Sequence, residues 1–104
     1  MPEKQDQARR AQNLQRQTQA LQNQERTVEL QLREVKNAIE EVEKAEGKVY
    51  KSAGNVLIEK PKEKIKEELE EQKEELERKK EKLEERKEQA QEKIQEMQSQ
   101  QQAG

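Results

Sequence analysis

The chain reads as a mainly α protein, an antiparallel two-helix coiled coil with one β-hairpin at the bend. Three observations predict this. Residues 5–46 and 61–102 carry apolar side chains at heptad spacing, with no glycine and no proline beyond Pro61. A β-type island, Val49-Tyr50-Lys51-Ser52-Ala53-Gly54-Asn55-Val56-Leu57-Ile58, lies midway between them. The two arms are nearly equal in length, so a reversal at the island lays one along the other. Residues 1–104 are read as a single domain, with helices over 5–46 and 61–102 and a hairpin over 48–59.

Composition narrows the function. Leu, Ile and Val make only 17 of 104 residues, and there is no Phe or Trp. That is too little for a globular core, yet the apolar residues recur at fixed intervals, as in a long helix. Charged residues are 44% of the chain but cancel to a net −2. Lys and Arg are interleaved with Glu, so no basic stripe forms for nucleic acid. No apolar run approaches the ~20 residues of a membrane span, and the Gln-rich N-terminus lacks the apolar core of a signal peptide. Without Cys or His, disulfides and thiolate or imidazole metal sites are excluded. The same absence fits a reducing, cytoplasmic location. Abundant Glu and Lys without Cys also fits a thermophile.

In the first arm, Leu14, Leu21, Val28, Val35 and Val42 are spaced by seven residues. Ala11, Thr18, Glu25, Leu32 and Ile39 form the companion row, which completes an a/d seam. Leu30 lies off this seam and needs other cover. Gly47 supplies a residue tolerant of the left-handed region where the helix ends. In the island, Ser52-Ala53-Gly54 suits a type I turn leading into a G1 bulge, with strands over about 48–52 and 55–59. A lone two-stranded hairpin cannot bury its faces or edges, so this one points toward other subunits.

Pro61 suits the first turn of the second arm and Glu63 its positive dipole end. Leu69, Leu76, Leu83, Ala90 and Met97 form one row, and Ile65, Gln72, Lys79, Arg86 and Lys93 are expected as its companion. Glu70–Lys73, Glu77–Lys80 and Glu84–Lys87 are expected as charge pairs on an exposed face. Folding the arms together pairs Ile39 with Leu69, Leu32 with Leu76, Glu25 with Leu83, Thr18 with Ala90 and Ala11 with Met97. The position numbers of these pairs add to one constant. The other row pairs Val42 with Ile65, Val35 with Gln72, Val28 with Lys79, Leu21 with Arg86 and Leu14 with Lys93, again at one constant.

The pairing predicts a gradient. Near the hairpin, apolar meets apolar. Toward the termini, Leu14, Leu21 and Val28 face Arg, Lys or small residues and are expected to stay partly accessible. Ala11, Leu14, Leu21, Ile94 and Met97 are therefore candidate client contacts, because accessible apolar patches bind partners. Met97 has a flexible side chain suited to varied ones.

The order of helix, VYKSAGNVLI hairpin and helix resembles the β-class subunit of prefoldin. The wording is most specific over Thr27–Glu67, where TVELQLREVKNAIEEVEKA runs into VYKSAGNVLIEK. The link Glu46-Gly47-Lys48 is shorter than the loop often found there in the family. The resemblance implies an archaeal-type molecular chaperone, a heterohexamer in which two α-class subunits join this chain and other β-class copies. Hairpins would assemble into an inter-subunit β-barrel through Val49, Tyr50, Val56, Leu57 and Ile58. The coiled-coil tips would hold unfolded protein and pass it to a group II chaperonin, without ATP.

No enzyme chemistry is legible. The carboxylates read as a solvated helix face, and two-helix arms offer no dry concave site. There is no phosphate-binding glycine loop, nucleophile–base pair or metal spacing, and no cofactor is expected. The alternative to a holdase is a structural adaptor or scaffold that docks one specific partner through its hairpin, with the polar arms as spacers.

Overall fold

The computed structural model describes the backbone of residues 2–103 and the side chains of residues 3–99; Met1 and Gly104, the two ends of the expected domain, lie outside the described residues. Helix α1 spans Pro2–Lys44, strand β1 Val49–Ala53, strand β2 Val56–Lys60 and helix α2 Lys62–Ala103. Tertiary contacts divide the chain into two units. The hairpin unit comprises residues 28–79, and the terminal unit comprises the residues before Val28 and after Lys79.

In the hairpin unit, Val28, Leu32, Ile39 and Ile65 are buried, and Val35, Val42, Leu69 and Leu76 are half-buried. Val28 is 1% exposed. Each fully buried side chain of this size contributes roughly 1.5–3 kcal/mol. α1 ends at Lys44, earlier than expected, and Gly47 (φ +99°) turns the link into β1. α2 begins after Pro61, whose carbonyl accepts from the amides of Lys64 and Ile65 at 3.1 Å each. A proline there gives up no helical donor. Lys62 then reaches back to α1. Its ammonium donates to the carbonyls of Glu43 (2.8 Å) and Ala45 (3.2 Å), closing orphan acceptors at the negative end of that helix.

The hairpin register corrects the expected turn. Ala53 pairs with Val56, so the loop is the two residues Gly54 and Asn55, and the strands start one residue later than expected. Gly54 has φ +61° while Asn55 does not have positive φ. Glycine first and an ordinary residue second suits a type II′ turn, whose twist matches the strands. No bulge is needed.

In the terminal unit, Leu21, Leu83 and Ala90 are buried. Ala11, Leu14, Thr18, Ile94 and Met97 are half-buried. Thr18 sits in the seam row because its hydroxyl donates to its own helix, at Leu14 O (2.8 Å).

The companion row on α2 is the main departure from the expected pattern. Gln72, Lys79, Arg86 and Lys93 are exposed; the half-buried positions are Lys66, Lys73, Lys80, Lys87 and Ile94. The seam thus takes lysines one residue along from the expected row. Lys73, Lys80 and Lys87 are not on the exposed face to which they were assigned. Lysine can do this because its methylene stem covers apolar surface while the ammonium reaches outward. Lys66 ends on Glu43 (3.1 Å) in the hairpin unit and Lys87 on Glu25 (2.8 Å) in the terminal unit. The shifted row also matches Val42 with Lys66, Val35 with Lys73, Leu21 with Lys87 and Leu14 with Ile94 at the same constant as the Leu row.

Candidate functional site: an exposed hairpin and a groove in the terminal unit

Strand alternation sorts the hairpin residues onto two faces. Val49, Lys51 and Ala53 share one face with Val56, Ile58 and Lys60; Tyr50 and Ser52 share the other with Leu57 and Glu59. Both faces carry exposed apolar groups: Val56 is 61% and Leu57 68% exposed, and Tyr50 and Ile58 are exposed as well. Only Val49 and Lys60, at the root, are half-buried. The sheet has two strands, so each strand has an outer edge with no ladder partner among the described residues. Of the five residues expected in assembly, four are therefore open to solvent in the chain and Val49 is partly covered.

One carboxylate ties this hairpin to α2. Lys51 donates to Glu68 Oε2 (3.1 Å) and Lys60 to Glu68 Oε1 (2.8 Å). The hydrogen bonds from Lys60 and Lys51 hold the Glu68 carboxyl below its ordinary range. Sequence reasoning missed this residue. The signal was there, since alternation alone puts Lys51 and Lys60 on one sheet face.

In the terminal unit, Leu14 and Met97 line a groove of about 430 Å³ together with Gln7, Arg10, Lys93 and Glu96. Ala11 and Ile94 are half-buried nearby in sequence but do not line it. Leu21 is 7% exposed and belongs to the seam. The expected accessibility of Leu21 and Val28 is corrected accordingly. Both are buried although the sequence pattern sets charged residues opposite them. Leu30 remains exposed. Among the described residues, no helix is long and apolar enough to cross a membrane, and no cluster of acidic side chains has metal-site geometry.

Paired helices joined by a hairpin that its own chain leaves uncovered define a class of protein, the coiled-coil subunit of a larger assembly. A family model described as "Prefoldin subunit" matches residues 5–103. The crystal structure of the prefoldin beta subunit from Thermococcus strain KS-1 superposes with a TM-score of 0.89 at 31% identity, covering 96% of this chain and 90% of that one. The prefoldin beta2 subunit from the same strain superposes with a TM-score of 0.74 at 26% identity, covering 86% and 97%. Comparison with curated protein sequences gives no significant match. The chain belongs to the prefoldin family, as a beta-class subunit. The family is one of chaperones rather than enzymes, which gives the chain a chaperone-type role.

Proposed function

We propose that the chain is a subunit of an ATP-independent holdase. Its hairpin joins α-class subunits and other β-class copies in a cytoplasmic heterohexamer, through Val49, Tyr50, Val56, Leu57 and Ile58 in an inter-subunit β-barrel. Its terminal unit captures unfolded protein through Ala11, Leu14, Ile94 and Met97, for delivery to a group II chaperonin. The observation that carries the reading is the groove itself, in which the half-buried Leu14 and Met97 stay accessible among polar side chains. Several such grooves on one platform turn weak single contacts into useful avidity.

The test is aggregation of a denatured protein in the presence of the assembled complex. Removing residues 1–22 and 90–104 is expected to abolish suppression while the oligomer keeps its number of subunits. Unchanged suppression by the shortened complex overturns the assignment of capture to these residues. The exposed Lys79, Arg86 and Lys93 favour the second reading, a scaffold for one fixed partner. Tight binding of a single protein, with no effect on unrelated denatured ones, would establish that instead.

A further inference from the structure

A two-stranded hairpin exposed on both faces is marginal by itself and gains little from the helices beside it. What fixes its direction must therefore be a small number of contacts. At the root, Val49 and Lys60 are half-buried. Two ion pairs reach a helix from here, Lys60 at the root and Lys51 beyond it, both to Glu68. These lysines come from different strands. Lys60 pairs with Val49 and Lys51 with Ile58, so the two are diagonal neighbours on one face. Each takes a different oxygen of the same carboxylate. A carboxylate held from two strands fixes the roll of the hairpin as well as its distance from α2. The bond from Lys51 lies past the root, where a hinge would otherwise open.

We propose that Glu68 is a positioning residue for subunit assembly: it locks the Lys51–Lys60 face of the hairpin toward α2, so that the opposite face, with Tyr50 and Leu57, and both strand edges are presented at a fixed angle to a second prefoldin subunit. The proposal rests on the reading that the hairpin is the assembly surface. A strand edge adds to a neighbouring sheet only in one direction, and an apolar face packs only at one roll angle. A hairpin that swings on its root loses that freedom on association, and the lost freedom weakens binding. The clamp removes it beforehand.

The experiment uses the whole chain, alone and mixed with an α-class prefoldin subunit. Spin labels at Ser52→Cys and Glu71→Cys report the hairpin's direction within its own unit. Glu68→Gln is expected to broaden that distance distribution, and to weaken assembly by about fivefold in sedimentation, the scale of a small surface ion-pair network. Helix content and melting of the unassembled chain stay as in the parent. Lys51→Met with Lys60→Met is expected to reproduce the effect, and adding Glu68→Gln to that pair to change nothing further. An unchanged distance distribution and parental assembly overturn the proposal. So does weakened assembly accompanied by an equal loss of stability, the mark of a merely structural residue. Leu57→Asp, on the presented face, separates the two levels of the argument. If it too leaves assembly intact, the hairpin is not the assembly surface. If it blocks assembly while Glu68→Gln does not weaken it, only the role of Glu68 fails.

Discussion

The two units are built from the same two helices but close their seams differently. The hairpin unit packs apolar residues from both helices, Val28, Leu32 and Ile39 of α1 and Ile65 of α2, and adds a lysine clasp at each end of its hairpin. The terminal unit has fewer apolar residues to use. It closes with Leu21, Leu83 and Ala90 plus one shielded ion pair, Glu25–Lys87, whose side chains are only 13% and 24% exposed. Past that pair it opens into the groove over Leu14 and Met97. The difference shows how a chain poor in hydrophobic residues divides its labour. More of the buried apolar side chains lie in the hairpin unit, and the terminal unit fills its seam with fewer of them.

Breaking this division at the hairpin should give the largest effect. Val56→Asp or Leu57→Asp would bury an unpaired charge between subunits at a cost of several kcal/mol. Sedimentation should then find helical monomers or small species instead of the assembled mass. Next comes the contrast between the two seams. Val28→Ala should destabilise by roughly 2 kcal/mol, the range for emptying part of a tight core site, and lower the melting temperature. Leu14→Ala should cost well under half of that, while reducing suppression of aggregation. Equal losses of stability would remove the distinction between the units.

The ion pair sharpens the comparison further. Glu25→Gln alone should cost roughly 1 kcal/mol, because the partly shielded Glu25–Lys87 pair loses its carboxylate charge. Glu25→Leu combined with Lys87→Leu should instead match or exceed parental stability in thermal melts, while admitting slipped registers. Polar seam positions specify alignment at some cost in stability. A double variant that is less stable than either single one would overturn this account.

The smallest effect is set by pH. Glu68 has its carboxyl held below the ordinary 4.5 by Lys60 and Lys51. Its contribution is fully present above that ordinary value and is lost as the pH falls through the depressed one. Amide exchange at Tyr50 and Leu57, compared with that at Val28, should therefore accelerate in acid beyond its intrinsic pH trend. Glu68→Gln should erase the difference.

Much of this was legible in the sequence. Both rows of α1 and the Leu row of α2 are where heptad spacing puts them, because Leu and Val bury whenever a neighbour is within reach. The hairpin was legible from its β-branched residues and Gly54. The lysine row was not. A period search counts lysine as polar at every position, whereas the seam uses its stem as apolar and its tip as charged. The same blindness made Leu21 and Val28 look exposed, because their partners were read by charge. Glu68 was missed for another reason. Its role depends on two strands and a helix meeting in space, and no single period contains all three.

The clasp at Lys62 has a consequence for how such a subunit changes over time. By capping the last carbonyls of α1 from the first residue of α2, it joins the two helices independently of what lies between them. The intervening strands work as a removable head on a closed collar. Their sequence can be rewritten, and with it the choice of partner subunit, while the helices beneath keep their alignment. New partnerships between duplicated copies would then arise by exchanging about a dozen residues, without refolding the arms.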